Sequence, residues 1–202
     1  RSSAASDVYK RQENRDEGFY IWTGSGGNGK SKLIELAQLV LGEYACGLPV
    51  SLITSKRASS NSATPEMERT KGIRLTVMQE PEADENINIG LLKELTGNDK
   101  IIARGLYKEP VELIHKYKLL LMCNDLTNIP SNDDGTWRRI RVCDFMSKFN
   151  DAPYQDEHRF PKTNFPYQFK IDRQLDKKFN IWAPVLTSIL VDLAFKKEGK
   201  VK

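Results

Sequence analysis

The amino-acid sequence predicts an α/β fold with a mainly parallel central sheet and helices on both of its faces. Apolar runs of strand length alternate with stretches whose apolar residues recur at helical spacing, which is typical of strand–helix–strand units. A glycine-rich loop, GSGGNGKS at 24–31, connects the first strand to the first helix. A later basic segment reads as two strands around a turn and predicts an inserted β-hairpin.

The first strand and the first helix flank the glycine loop. Residues 19–23 are aromatic and β-branched, which favours a short buried strand. After the loop, apolar residues recur with the period of a helix, and Gly42 stands where that helix would end. The apolar residues of this pattern are Leu33, Ile34, Ala37, Val40 and Leu41.

The middle of the chain contains most of the other predicted elements. A short helix is expected from Pro65, and IRLTVM then predicts a buried strand that ends on Gln79 and Glu80. A helix over 87–96 should end at Gly97. KIIARGLYKEPVELIHKY predicts two strands around a GLYKEP turn, and KLLLMCND predicts one more buried strand.

The last part of the chain is expected to be an ordered loop or lid followed by a helix. Prolines, aromatics and mixed charges over 144–170 show no regular period. A helical apolar pattern runs from Asn180 to Lys197, with Pro184 placed in the first turn. The predicted organisation is a disordered leader or a cloning or sequencing scar at 1–16, a core at 17–148, and a loop and helix packing on that core at 149–202.

Composition excludes several classes of protein. The 202 residues carry a net charge of +4, which permits a polyanionic partner without identifying one. Cys46, Cys123 and Cys143 lie far apart, and with two histidines they offer neither a metal-ligand spacing nor a disulfide framework. A zinc site and a cysteine protease are therefore disfavoured. Apolar runs fall well short of the roughly 20 residues that a bilayer span needs, so no membrane segment is expected.

The glycine loop carries the residues of a phosphate-binding site. Gly24, Gly29, Lys30 and Ser31 fill the fixed positions of G-x-x-x-x-G-K-[ST], with a strand before and a helix after, which disfavours a fortuitous glycine turn. Backbone N–H groups turn inward around phosphate oxygens, and the helix N-terminus adds partial positive charge. Lys30 should reach the β- and γ-phosphates and the Ser31 hydroxyl should bind Mg²⁺. ATP and Mg²⁺ are the expected cofactors, bound by Gly24, Gly26, Gly27, Asn28, Gly29, Lys30 and Ser31.

Polar residues end two of the predicted strands. Glu80 is placed to polarise an attacking water and to help bind the metal, while Gln79 beside it lacks a carboxylate. Asn124 ends the next strand, where an amide could sense the γ-phosphate or orient the water. Each residue also has a plainer interpretation, since carboxylates solvate strand ends and asparagine forms turns.

An arginine pair, Arg138 and Arg139, lies beside Trp137 in GTWRRIRV. On an extended segment adjacent side chains point to opposite sides, so one arginine could reach a nucleotide while the other pairs with protein. Surface ion pairing is the alternative interpretation of such a pair.

The predicted hairpin combines cations with an aromatic residue. Lys100, Arg104 and Lys108 are interleaved with Tyr107, a combination suited to phosphate contact and base stacking on single-stranded DNA. Residues 91–118 hold six Lys or Arg and four Asp or Glu, an excess of only +2, so a solvated hairpin explains the composition equally well.

Taken in order, GSGGNGKS, RLTVMQEPE, LLKELTGNDKIIARGLYKEP, KLLLMCND and DDGTWRRIRV resemble the Walker A, Walker B, B-prime, sensor-type and arginine-finger motifs of superfamily 3 helicases. The resemblance is to the helicase module of poxvirus-type and phage or plasmid primase-helicases, particularly those of large nucleocytoplasmic DNA viruses. It covers about residues 18–148.

This resemblance implies an AAA+-like P-loop NTPase with a three-layer sandwich fold, which assembles as a homo-hexameric ring and moves on single-stranded or fork DNA. By motif, it assigns catalytic roles to Lys30, Glu80, Asn124 and either Arg138 or Arg139, the last acting on a neighbouring subunit's ATP. Lys108 would contact DNA near the hairpin tip. An upstream primase-type region known from full-length relatives is missing from this sequence. The expected location is intracellular and soluble, at a viral replication site or in the host cytoplasm or nucleus.

Two alternatives stay open at the level of sequence. A P-loop nucleotide kinase would share the glycine loop, but it would need an acceptor site and lid arginines. A nucleotide-gated DNA-binding or assembly module without turnover is suggested by Gln79 at the end of the acidic strand.

Overall fold

A five-stranded parallel sheet forms the centre of the fold in the computed structural model, which describes residues 17–56, 63–81, 85–126 and 128–197. The strands in these residues are β1 (Phe19–Thr23), β2 (Ala45–Gly47), β3 (Leu75–Met78), β4 (Lys100–Ala103), β5 (Val111–Ile114), β6 (Lys118–Met122), β7 (Ile140–Asp144), β8 (Ser147–Asn150) and β9 (Tyr167–Lys170). The helices are α1 (Lys30–Leu41), α2 (Ser51–Thr54), α3 (Pro65–Glu68), α4 (Ile89–Thr96), α5 (Asp134–Trp137) and α6 (Leu175–Lys197).

The strand order of the central sheet is β2-β3-β6-β1-β7, and every neighbouring pair is parallel. β1 lies between β6 and β7, with Phe19 opposite both Leu119 and Ile140. Because parallel strands end at the same edge, the residues after β1, β3 and β6 are brought together there. The mainly parallel sheet that the sequence predicts is confirmed.

Both faces of the sheet are covered by helices. Phe19, Ile21 and Leu119 have no exposed surface and pack with residues of α2 and α4 in the larger core. The alternate residues of the same strands, such as Trp22 and Leu120, pack on the other face around Ile34 of α1. This alternation follows from the two-residue period of a strand and gives the predicted helix–sheet–helix sandwich.

The inserted hairpin is also present. β4 and β5 are antiparallel, with Lys100 opposite Ile114 and Ala103 opposite Val111. Its loop is attached to the N-terminus of α3, since the Arg104 N–H donates to the Thr64 hydroxyl at 3.1 Å and the Thr64 N–H donates to the Arg104 carbonyl at 2.7 Å.

The C-terminal part differs from the prediction in three ways. β8 and β9 form a two-stranded parallel sheet inside the stretch expected to be an irregular loop. α6 begins at Leu175, five residues before the predicted Asn180. Pro184 therefore lies inside the helix and not in its first turn, because the polar residues from Leu175 onward are helical as well.

α6 packs against α1, where Lys32 and Asp176 form an ion pair of 2.9 Å. Within the described residues, Leu175–Lys196 is the segment long and apolar enough to cross a bilayer by length and composition, and 6% of its most apolar window is buried. A single helix of this kind assigns nothing to a membrane, so the expectation of no membrane segment stays a prediction. The predicted leader at 1–16 lies outside the described residues.

Candidate active site

The glycine loop between β1 and α1 adopts the conformation that its sequence favours. Gly24, Gly27 and Gly29 have φ angles of 124°, 76° and 90°, a region that residues with side chains rarely adopt. The buried Asn28 braces the loop, because its Oδ1 accepts from the Lys30 N–H at 3.3 Å. The N-terminus of α1 therefore opens onto a short cradle of backbone N–H groups, which suits an anion.

Lys30, the first residue of α1, is 7% exposed. Its Nζ donates to the carbonyl oxygen of Gly24, across the mouth of the loop. Burial lowers the pKa of Lys30 and outweighs the opposing electrostatic influence of Cys123, Glu80 and Asp144. The lysine is thus positioned by the loop itself, next to groups that partly offset the cost of burying its charge.

Glu80 and Asn124 meet at the carboxyl edge of the sheet. The Asn124 side-chain Nδ2 donates to Glu80 Oε2 at 2.9 Å, and the Asn124 backbone N–H donates to Glu80 Oε1 at 3.1 Å. The Asn124 carbonyl in turn accepts from the Gly24 N–H at 3.1 Å. The residues that end β3 and β6 are therefore bonded to each other and to the start of the glycine loop.

These residues line one cleft of about 630 Å³, whose lining includes Lys30, Ser31, Glu80 and Asn124 together with Leu48 to Val50. A smaller adjoining cavity of about 200 Å³ follows the loop from Gly26 to Lys32. Within the described ranges, no three His, Cys, Asp or Glu side chains form a metal cage. A hydroxyl and a carboxylate beside a phosphate cradle still fit Mg²⁺, which commonly takes one or two protein oxygens together with phosphates and waters.

The arginine pair lies at the opposite edge of the sheet. Arg139 precedes β7, and its carbonyl accepts from the Phe19 N–H, at the start of β1, at 2.7 Å. Arg138 follows α5 in a helical conformation, because Asp133 caps that helix by accepting from the Gly135 N–H at 2.9 Å. The expectation of an extended segment with alternating side chains is therefore wrong.

Both arginines pair with one carboxylate, since Arg138 and Arg139 lie 2.6 and 2.5 Å from Glu17 Oε2. They differ in accessibility: 65% of the Arg138 side chain is exposed, against 11% for Arg139. Arg139 also donates to the Gly135 carbonyl. Only Arg138 of this pair presents a largely open guanidinium.

The four predicted DNA-contacting residues lie on the hairpin. Lys100 pairs with Glu112 at 2.7 Å, and Lys108 pairs with Glu68 of α3 at 2.6 Å. Arg104 Nε donates to the Lys108 carbonyl at 3.2 Å. Tyr107 is fully exposed at the tip and has a φ angle of 58°. The hairpin thus presents an aromatic ring, while its two lysines have carboxylate partners.

Two residues beside the glycine loop were missed by the sequence-based reasoning. Asp144, the last residue of β7, accepts from the Thr23 hydroxyl at 3.3 Å. The rule that drew attention to Glu80 and Asn124, a polar residue at a strand's carboxyl end, would have found it. Lys148 donates to the Gly26 carbonyl from a distance of 122 residues along the chain, and no local pattern signals that contact.

A parallel sheet with a glycine loop and a helix N-terminus at its carboxyl edge defines a protein of P-loop NTPase-like fold. The chain belongs to the family of unknown function DUF5906, whose model matches residues 22–139. The C-terminal region of NrS-1, solved in an apo form, shares this fold at a TM-score of 0.58 and 15% identity, covering 91% of this chain and 38% of that one.

Relatives of this chain are found in large DNA viruses. "Putative helicase L207/L206" of Acanthamoeba polyphaga mimivirus is 41% identical over 191 residues, which are 93% of this chain and 20% of that protein. "Putative helicase 022R" of Frog virus 3 is 40% identical, over 81% of this chain and 17% of that protein. "Putative primase C962R" of African swine fever virus (isolate Warthog/Namibia/Wart80/1980) is 29% identical, over 79% and 17%. The chain thus spans a fifth or less of the length of these relatives.

Proposed function

We propose that this chain is the ATP-dependent motor of a DNA helicase of the primase-helicase type, which hydrolyses ATP to move on single-stranded DNA and unwind a duplex. The observation that carries the proposal is the Glu80–Asn124 pair beside the glycine loop. A cradle alone suffices for nucleotide binding, whereas hydrolysis also needs a group that orients and deprotonates water. The relatives named as helicases and a primase support the same class.

The cradle residues bind the nucleotide in this proposal. Backbone N–H groups of the glycine loop hold the phosphates, and Lys30 moves from the Gly24 carbonyl to the β- and γ-phosphate oxygens, which are charged acceptors. Ser31 and Glu80 are the residues that would hold Mg²⁺. When bound, the ion would neutralise part of the phosphate charge.

Glu80 acts as the general base and Asn124 as the sensor. In the structure, the backbone N–H and the side-chain Nδ2 of Asn124 donate to the two oxygens of the Glu80 carboxylate. Both oxygens therefore already have a hydrogen-bond donor. A γ-phosphate that draws the Asn124 amide away would free a Glu80 oxygen for water. Hydrolysis would then start only when a triphosphate fills the site.

Arg138 is the arginine finger in this proposal, because both arginines pair with Glu17 but only the side chain of Arg138 is largely exposed, while that of Arg139 is mostly buried and also donates to Gly135. It lies at the edge of the sheet opposite its own cradle, so it would serve the ATP of a neighbouring subunit in a homo-hexameric ring. Such a finger is worth about 10³ to 10⁵ in rate.

Mixing two inactive variants tests this composite site. Lys30→Ala subunits retain the finger and Arg138→Ala subunits retain the cradle, so some interfaces in a mixture contain both intact residues. We expect each variant alone to hydrolyse ATP at least about 100-fold more slowly than the unmodified chain, and the mixture to regain activity. Full activity of Arg138→Ala alone would remove the finger assignment, and Arg139→Lys serves as a matched charge-preserving control.

The hairpin supplies the DNA contact, with Tyr107 stacking on bases and Lys100, Arg104 and Lys108 near the phosphates. Its lysines would exchange their carboxylate partners for DNA phosphates, an exchange that high salt weakens. By the same relatives, the protein would act inside the infected cell.

DNA-stimulated ATP hydrolysis tests the proposal as a whole. We expect the rate per subunit to rise with protein concentration and with added single-stranded DNA, and to vanish in Lys30→Ala. Equal rates of ATP hydrolysis in the unmodified chain and in Lys30→Ala would overturn the proposal of an ATP-dependent motor. Phosphate transfer to a nucleoside would identify a kinase, and ATP-dependent association without turnover would identify a nucleotide-gated assembly module, the alternative that Gln79 favours.

A further inference from the structure

The segment that follows β7 is hydrogen-bonded to the glycine loop and to the residue before it. The Phe145 N–H donates to the Thr23 carbonyl at 2.9 Å, and the Phe149 N–H donates to the Gly27 carbonyl at 2.8 Å. Between them, Asn28 Nδ2 donates to the Phe145 carbonyl at 3.4 Å. The glycine loop is therefore held by hydrogen bonds within the loop and by hydrogen bonds to residues 145–149.

Lys148 is the charged residue of this segment that points at the loop. Its Nζ donates to the Gly26 carbonyl, and the carbon beside Nζ lies 3.7 Å from the position that a Cβ on Gly27 would take. The Phe160 and Phe165 rings stand 5.0 and 5.4 Å from the same Nζ, within the range of cation–π attraction. These rings hold the ammonium group against the loop.

We propose that Lys148 is a second phosphate-contacting cation of the nucleotide site, one that binds the phosphate chain of a nucleoside triphosphate alongside Lys30. This inference rests on the proposed function only in so far as the glycine loop binds a nucleotide. A neutral carbonyl is a weaker acceptor for an ammonium group than a phosphate oxygen, because the negative charge of the phosphate adds Coulomb attraction to the hydrogen bond. The bond to Gly26 is thus one that an incoming phosphate replaces.

The charges around the glycine loop also favour a phosphate-contacting role for Lys148. Lys30 lies near two carboxylates, those of Glu80 and Asp144. A bound triphosphate adds further negative charge to that environment. A second ammonium beside Gly26, a residue that lines the smaller cavity, offsets part of this charge.

Calorimetric titration of the 202-residue chain with magnesium complexes tests the assignment. The probes are the non-hydrolysable β,γ-imido analogue of ATP, ADP and AMP. For Lys148→Ala we expect the affinity for the imido analogue to fall about tenfold and the affinity for AMP to change by less than about threefold, since the effect follows phosphate charge. Lys148→Arg should restore most of the loss, and Lys170→Ala, an exposed lysine on β9, should behave as the unmodified chain.

Three results would overturn the inference: unchanged affinities in Lys148→Ala, an equal loss for all three nucleotides with a lowered melting temperature, or no rescue by arginine. The equal loss would mean that Lys148 only braces the loop. If the expected pattern is found but ATP is not hydrolysed, the inference stands and the motor fails. If the unmodified chain binds none of the nucleotides, both are overturned.

Discussion

At the scale of single residues, the glycine loop combines backbone angles with close approaches that a side chain would block. At Gly24 a Cβ would lie 2.6 Å from the Phe145 carbonyl oxygen and 2.7 Å from Asn28 Nδ2, and its φ is 124°. At Gly26 no described heavy atom outside its immediate neighbours lies within 4 Å of that position. The two glycines share a loop but meet different surroundings.

We therefore expect Gly24→Ala to lower the free energy of unfolding by about 1–3 kcal/mol, from strain and from displacement of the 145–149 segment. Gly26→Ala should change it by less than about 0.5 kcal/mol. Urea unfolding followed by circular dichroism measures both. Equal effects of the two substitutions would contradict the described path of the loop.

At the scale of elements, the hairpin presents one fully exposed ring at its tip. Tyr107→Ala should weaken binding of an oligo-dT single strand by about 1–3 kcal/mol, the range for loss of one base stack, while Tyr107→Phe should keep the affinity. Fluorescence anisotropy of labelled DNA gives the measurement. Tyr44→Ala, which removes a 58%-exposed ring elsewhere, is the matched control. An equal loss of DNA affinity in Tyr44→Ala would show that the hairpin has no specific role in DNA binding.

How far the elements could be predicted depended on how local their signals are. The strand, loop and helix at 19–41 follow from period and glycine placement within a few residues, and the structure has them as predicted. The prediction of an extended segment before β7 is wrong, because Asp133 caps a short helix there. The signal for this helix is present in DDGT, where an acidic residue precedes the helix start. β8 and β9 were not predicted, because their pairing joins residues far apart along the chain and the stretch that contains them has no regular hydrophobic period.

The contacts of the candidate site likewise fall into those that the sequence predicts and those that it does not. Glu80 and Asn124 could be predicted to meet, since both end parallel strands, and their hydrogen bonds are present. Their catalytic roles stay predictions. The shared partner of Arg138 and Arg139, Glu17, could not be foreseen, because it lies 121 residues from Arg138 and before the first strand.

At the scale of the whole molecule, one buried histidine links stability to pH. His115 is 2% exposed and its ring lies 4.7 Å from that of Tyr117 at a tilt of 52°, and its Nε2 has no hydrogen-bond partner among the described residues. Burial lowers the pKa of His115 from 6.5 to about 4. Because the unfolded chain binds the proton more readily, unfolding is favoured as the pH falls from about 6.5 towards 4.

The difference between 6.5 and about 4 corresponds to at most about 3 kcal/mol of unfolding free energy, fully present above pH 6.5 and lost towards pH 4. His115→Gln should flatten this part of the stability curve, whatever its effect at pH 7. Urea unfolding at several pH values between 4 and 7 measures both proteins. Parallel curves would show that His115 is not the titrating group.

Glu80 is the carboxylate that would turn a nucleotide-binding fold into a hydrolase. ATP binding and single-turnover hydrolysis can be measured side by side, with single-stranded DNA present, for the unmodified chain and for Glu80→Gln. The glutamine keeps the shape of the side chain and one of the two oxygens that accept from Asn124, but its NH₂ group is a donor and it cannot accept the proton of water. We predict ATP affinity within about twofold of the unmodified chain and hydrolysis slower by about 10² to 10⁴. Hydrolysis by Glu80→Gln at the unmodified rate would contradict the account.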